Sequence, residues 1–436
     1  MATENAGVFE REMLPGNIDL LVWNTSKFKT VSFRICYLEN LDHRAGCRAL
    51  LAGLLRRGCA DFPDMMSLSR HLEELFGAGL SIDVNRLGER QNLNVRFRVV
   101  NDRYVRQSKS ALGQGLSLVD SILTEPITEN GGFRTAEFEQ ERTNLIRAIR
   151  GLVDDKLNYA HQRLLSEMFA GEPYALFEWG TEEAALALDP RAALSDHFER
   201  LARAPIEMYV VGELDEEDLD LIRAAVCGLS KRREIVPVQP ERQVPMPAPK
   251  AVREAMPITQ SKLLIGYRLD QEDLSDRDFF ALGVYNSILG SGSSFSKLFR
   301  EVREERSLAY YAHSSLDRLK GFLLLSAGVA ARQWEQAAEV MRDQVEAMRQ
   351  GTFSEQDLEV ARGMLLNSLS SVNDSPGHAA DFVLSARAAG RSPDVSEVSR
   401  RIQAVTREDV VRVAKRPREQ TTYLLEGTQD EQAAAG

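Results

Sequence analysis

The feature that most constrains this 436-residue chain is that its order of elements is written twice. The first half opens on LLVWNTSKFKTVSFRICYL, where Val31, Phe33, Ile35 and Tyr37 alternate as in a half-buried strand. A helix over 43–57 follows, then a capped helix in SLSRHLEELFGAGLSIDVN that ends near Gly77 and Gly79. A second alternating strand covers Asn92–Val100, and amphipathic stretches cover 103–123 and 135–168. The second half gives strand KLLIGYRL, helix SDRDFFALGVYNSILG, the run SKLFREVREERSLAY, strand GFLLLSAGV and helices at 332–350 and 354–371. Even short segments correspond: FEQERTNLIRAI at 138–149 parallels LEVARGMLLNSL at 358–369. Six or more strands mixed with helices, hairpins among them, predict an α+β chain of two similar αβ lobes. The Pro-rich, mixed-charge stretch SKRREIVPVQPERQVPMPAPK suits an extended linker. The expected division is therefore an N-terminal lobe over 1–230, a linker over 231–250 and a C-terminal lobe over 251–436.

Charge and cysteine usage narrow the function. A net charge of −11 repels nucleic-acid phosphates. No apolar run approaches the roughly eighteen residues of a membrane span, and the start, MATENAGVFEREMLPGN, carries acidic residues and no apolar signal core. Cys36, Cys47, Cys59 and Cys227 lack paired metal spacing and read as reduced thiols. These features predict a cytoplasmic protein that binds neither nucleic acid nor membrane. LGQGLSL and LGSGSS miss the phosphate-loop patterns, and Ser291, Ser293 and Ser294 lack a hydrolase elbow. Cys59 follows Gly58 in an Arg-rich turn that could lower its pKa, but a plain thiol is the favoured reading; Arg56, Arg57 and Arg70 near that turn would suit an acidic substrate or a salt bridge to a partner.

Three stretches carry a family likeness. They are LGSGSSFSKLFREVREERSLAYYAHSS at 289–315, the helix-turn at 46–59 with HLEELFGAGLSIDV, and FEQERTNLIRAIRGLVDDKLNYAHQRLLSEMF with the YALFEWGTEE loop. Together, over residues 10–428, they resemble pitrilysin/insulinase-type zinc peptidases, among them mitochondrial processing peptidase subunits. The resemblance implies two homologous lobes per chain, each a mainly antiparallel sheet with helices packed on it, and two chains enclosing a chamber. In active members an H-x-x-E-H helix binds zinc through two His, the Glu acts as general base, and a distant Glu completes the ligands. Here GCRALLAGLLRRGC puts Ala49 at the first His, Ala52 at the Glu and Gly53 at the second His, and Ala148 falls at the distal Glu. None of these side chains can coordinate a metal or move a proton. The chain itself is thus expected to hold no catalytic residue, no metal and no cofactor; the same apolar helix also serves as a packing element.

The resemblance also implies that Arg303 and Tyr310 contact substrate. An Arg fork suits a peptide carbonyl or carboxylate, and a Tyr hydroxyl suits a developing oxyanion. Gly290, Ser291 and Gly292 would form a flexible turn ahead of the helix that bears Arg303. The competing reading is a solvated helix in which Glu301, Arg303, Glu304, Glu305 and Arg306 pair at i, i+3 or i, i+4. His313 reads as structural. The expectation is a non-catalytic subunit that pairs with a zinc-bearing homologous peptidase subunit, binds a peptide substrate and closes the chamber. The alternative is a structural or assembly protein of the same fold, such as a homodimeric shell.

Overall fold

A computed structural model of the chain describes residues 9–106, 109–229, 234–239, 244–271, 274–291 and 294–428. Two compact units result: Met1–Gly151 with Leu176–Pro240, and Leu152–Ala175 with Glu241–Gly436.

In the first unit six strands form one sheet: β1 (Glu10–Leu14), β2 (Ile18–Asn24), β3 (Thr30–Asn40), β4 (Gly79–Leu87), β5 (Arg90–Val100) and β6 (Ile206–Gly212), in the order β1-β2-β6-β3-β5-β4. All neighbours are antiparallel except β2 and β6. The alternation in β3 turns Val31, Phe33, Ile35 and Tyr37 into the core with Val95, Phe97 and Val99 of β5. Phe33 and Phe97 lie opposite each other with stacked rings 5.3 Å apart. On the other side of β3, buried Arg34 gives two hydrogen bonds, 2.9 and 2.7 Å, to Asn94 Oδ1, which satisfies a charge that would otherwise be costly to bury. The helices include α1 (Ala45–Leu54), α2 (Met65–Glu74), α3 (Ala111–Thr124) and α4 (Thr135–Gly151). α2 begins at Asp64, whose carboxylate and Ser67 form a reciprocal capping box. α1 and α4 share a small cluster of their own: Leu50, Leu51 and Leu54 meet Phe138 and Leu145.

The second unit holds a five-stranded sheet of β7 (Lys250–Met256), β8 (Ser261–Leu269), β9 (Ala309–Asp317), β10 (Phe322–Val329) and β11 (Pro417–Gly427), in the order β9-β10-β8-β11-β7. Again a single pair, β7 and β11, is parallel. α5 (Lys156–Met168) and α6 (Asp276–Leu289) belong to this unit. Central strand β8 is buried on both faces, which explains its nearly unbroken apolar run. Leu263 and Ile265 pack with Leu282, Tyr285 and Ile288 of α6, while Leu264 packs with Leu164 and Met168 of α5. The amphipathic stretch at 135–168 therefore breaks at Leu152–Asp154, and its second part lies with the later residues of the chain. Behind the sheet Glu172 is buried, accepting from Arg268 at 2.6 and 3.2 Å and from Lys320 at 2.7 Å.

Of the Pro-rich linker, 231–233 and 240–243 lie outside the described residues. Residues 234–239 run along the first unit, with the Glu234 and Val236 amides donating to the carbonyls of Ala202 and Arg203. Lys250 already starts strand β7.

Candidate functional site

Helix α1 carries three of the four positions at which a zinc peptidase of the resembled kind would place its chemistry. Ala52 is buried in the sheet-side core and Ala49 packs half-buried beside the α1/α4 cluster. Gly53 faces α4 so closely that a Cβ there would lie 2.4 Å from Glu141 Oε2. Glu141 is itself buried. Its Oε1 accepts from Arg57 Nε at 2.6 Å, from Arg57 Nη2, and from Asn144 Nδ2 at 3.2 Å. Ala148 stands two turns further along α4 and is exposed. Ala, Ala, Gly and Ala offer no lone pair to a metal, and the carboxylate that does approach α1 is held by a guanidinium. The donor set does not fit zinc. Among the described residues no three His, Cys, Asp or Glu side chains are grouped to hold a metal ion.

Glu141 was legible as part of FEQERTNLIRAI but not as the carboxylate that meets α1. The available signal is its place on the apolar stripe Phe138, Glu141, Leu145, at i, i+3 and i+7, all three buried. A carboxylate on such a stripe must have a partner inside.

The thiols near this helix are quiet. Burial, reinforced by the Asp196 charge, pushes the Cys47 thiol up to about 12. Cys36 is raised to about 11 by burial, against the nearby Arg34. Burial also raises Cys59, the opposite of the acidifying effect that the neighbouring arginines suggested. Arg57 is occupied with Glu141, which removes it from that role.

Arg303 and Tyr310 sit on two local irregularities in the second unit. Phe299–Glu305 winds as a π-helical turn, a rare form that concentrates at functional positions. The pairing of side chains follows the wider turn: Arg306 Nη1 reaches Glu301 Oε2 at 2.6 Å across five residues, where an α-helix would join residues three or four apart. The turn closes as the Ser307 amide donates to the Arg303 carbonyl, with Ser307 at φ +51°, and the Leu308 amide donates to that of Val302. Buried Val302 and Leu308 anchor it from below. The chain then enters β9 with a bulge. Ala309 pairs with Val329 and Tyr311 with Gly328, so Tyr310 is the extra residue. A bulge re-aims a side chain out of the strand's alternation, and Tyr310 is 56% exposed. The Arg303 side chain is 46% exposed; its Nε lies 3.7 Å from Glu304 and its guanidinium 4.7 Å from the centre of the Phe299 ring.

The turn after α6 differs from the flexible hinge expected of Gly290, Ser291 and Gly292. Gly292 lies outside the described residues. Gly290 is pinned to strand β9: its carbonyl accepts from the Ser314 amide at 2.8 Å, and a Cβ would lie 2.7 Å from that nitrogen and from Leu298 Cδ1. Ser314 Oγ in turn donates to Asn286 Oδ1 of α6 at 2.7 Å. Glycine is used here for close approach of two backbones. His313 lies half-buried under the Tyr311 ring, 5.5 Å away, and burial lowers its pKa. On the adjoining strand Ser326 bonds His161 of α5 at 2.9 Å.

Comparison with known proteins agrees with this geometry. A family model described as the peptidase M16 inactive domain matches residues 191–365. The chain is 31% identical over 417 residues to the probable inactive metalloprotease YmfF of Bacillus subtilis, covering 95% of this chain and 97% of that one. Among solved structures, a conserved protein of Enterococcus faecalis superposes with a TM-score of 0.88 at 27% identity, over 97% of this chain and 100% of that one. A peptidase M16 inactive domain of Pseudomonas fluorescens superposes at 0.78 with 16% identity, over 97% and 99%, a likeness of fold. The chain belongs to the M16, or pitrilysin/insulinase-type, peptidase family, and within it to the members that lack the zinc motif. Among the described residues no helix is long and apolar enough to cross a membrane.

Proposed function

We propose that this chain is the non-catalytic subunit of a two-chain zinc endopeptidase. It contributes peptide binding and closes the chamber, while a homologous partner carries an intact H-x-x-E-H helix. The observation that carries the reading is a pairing of opposites. The α1 and α4 positions hold Ala49, Ala52, Gly53 and Ala148, while Arg303 and Tyr310 stand half-exposed on a π turn and a bulge. Such irregularities often mark functional positions, which favours a retained role for the pair over a bare shell. Arg303 supplies in-plane N–H donors to a backbone carbonyl or a carboxylate of the peptide. The Tyr310 hydroxyl donates to the oxyanion as water attacks the scissile carbonyl. The metal that activates this water belongs to the partner, so helices α1 and α4 of this chain take no part in the chemistry.

The test is reconstitution. The protein is purified from its own cells with whatever accompanies it, its native mass is measured, and the companion is assayed for peptide cleavage with and without it. Wild-type chain should restore cleavage. Arg303→Ala and Tyr310→Phe should restore it at a tenth of that rate or less, since a lost oxyanion donor costs about 10²-fold in the best-studied cases. Full activity with both variants would refute the peptide-binding role. A stable homodimer with no peptidase companion would instead support the structural reading.

A further inference from the structure

Arg303 differs from the other arginines of its turn in what holds it. Arg300 donates to Asp357 at 3.0 Å, and Arg306 to the Glu301 carboxylate at 2.6 Å. Arg303 makes no side-chain hydrogen bond among the described residues. Its one carboxylate neighbour is Glu304, 3.7 Å away and itself 58% exposed, a contact of the kind that contributes little in water. What does meet it is an aromatic ring: its guanidinium carbon lies 4.7 Å from the centre of Phe299, well inside cation–π range. Phe299 opens the same π turn, four residues earlier, and is half-buried.

The chemistry of the two contacts is not equivalent. A carboxylate partner takes the in-plane N–H donors of a guanidinium, the same groups a peptide carbonyl or carboxylate would need. A ring takes the π face and leaves all five N–H donors available at the edge. It also narrows the rotamers of a long side chain that otherwise loses conformational entropy when a ligand fixes it. Exposure of nearly half the side chain is compatible with this arrangement, because the edge must stay open.

We propose that Phe299 is a positioning residue for Arg303: its ring holds the guanidinium by the face and presents the N–H edge to an extended peptide. The inference rests on the peptide-binding role of Arg303, and the experiment separates the two. Binding of a dye-labelled, unstructured peptide with a free carboxylate to the full chain is followed by fluorescence anisotropy for Phe299→Leu, Phe299→Tyr, Arg303→Ala and the double variant Phe299→Leu/Arg303→Ala. Phe299→Leu keeps an apolar side chain but removes the ring, so its Kd should rise about two- to fivefold, the size of an exposed cation–π contact. Phe299→Tyr, which keeps the ring, should bind as wild type. Arg303→Ala should weaken binding further, and adding Phe299→Leu to it should change nothing. Wild-type binding by Phe299→Leu beside a weakened Arg303→Ala overturns the positioning role and leaves Arg303 as a peptide contact. Equal loss from Phe299→Leu with and without Arg303 shows a packing role and overturns it too. Wild-type binding by Arg303→Ala overturns both readings. Thermal melts of each variant exclude unfolding as the cause.

Discussion

Gly53→Ala is a one-carbon perturbation with an unusual sign. Inside a helix, exchanging Gly for Ala stabilises by about 1 kcal/mol, and Gly53, next to last in α1, gains at most that. In α1 the new Cβ would sit 2.4 Å from Glu141 Oε2, 3.0 Å from Cδ and 3.2 Å from Cγ, all closer than carbon normally allows. The obstacle is the far end of a flexible side chain and would yield cheaply were it free. It is not free, because Arg57 grips the carboxylate. The pair is intermediate in burial, with side-chain exposures of 23% for Arg57 and 11% for Glu141. Breaking a fully buried pair costs about 3–5 kcal/mol and an exposed one about 0–1. A value near 2–3 kcal/mol is reasonable here, leaving a net loss of about 1–2 kcal/mol after the helix gain. Trp23 and Trp179 lie in the first unit and Trp334 in the second, so urea unfolding of a Trp334→Phe chain followed by tryptophan fluorescence reads the first unit. The decisive comparison is with Glu141→Ala as background, where the obstacle is gone and Gly53→Ala should stabilise, by up to about 1 kcal/mol. A stabilising Gly53→Ala in the wild-type chain would refute the placement of Glu141 against α1.

Two other perturbations follow from buried charge. His197 and His161 are each lowered to about 4, chiefly by burial, so the folded chain binds fewer protons than the unfolded one between about pH 6.5 and 4. Their contribution is fully present above about pH 6.5 and is lost as the pH falls towards 4. Urea midpoints should therefore drop between pH 7.5 and 5, and less so in His197→Gln. Glu172→Gln removes the charge shared by buried Arg268 and Lys320 and should cost about 3–5 kcal/mol, read from Trp334 fluorescence in a chain whose Trp23 and Trp179 are replaced by Phe.

Much of the fold was legible because it follows from periodicity. Strands β3, β5, β8 and β10 and the helices at Asp276–Leu289, Trp334–Arg349 and Glu355–Ser370 fall where alternation or helical spacing put them. The break at Leu152–Asp154 was not legible, since both flanking helices are amphipathic. What distinguishes them is the surface each covers: Leu145 packs on α1, while Leu164 packs on β8. The candidate site was legible through the family resemblance: Ala49, Ala52, Gly53 and Ala148 by alignment with the zinc motif, and Arg303 and Tyr310 by their order in the chain. That Arg303 lies on a π turn is a matter of local winding that side-chain periodicity does not distinguish from an α-helix, while the bulge at Tyr310 and the clamp of Gly290 to Ser314 depend on hydrogen bonds between separate segments, which spacing does not report.

The bulge in β9 has a bearing on which changes the strand can absorb. Alternation ties every ordinary residue of a strand to one face of its sheet, so an inserted or deleted residue sends all that follow to the wrong side. Position 310 is exempt. Removing it would join Ala309 directly to Tyr311, whose partners Val329 and Gly328 are already consecutive, and Ala312 would keep its place in the core. The sheet is complete without this tyrosine. If Tyr310 binds peptide as proposed, a shortened chain lacking residue 310 alone would separate that role from the folding of the unit that displays it.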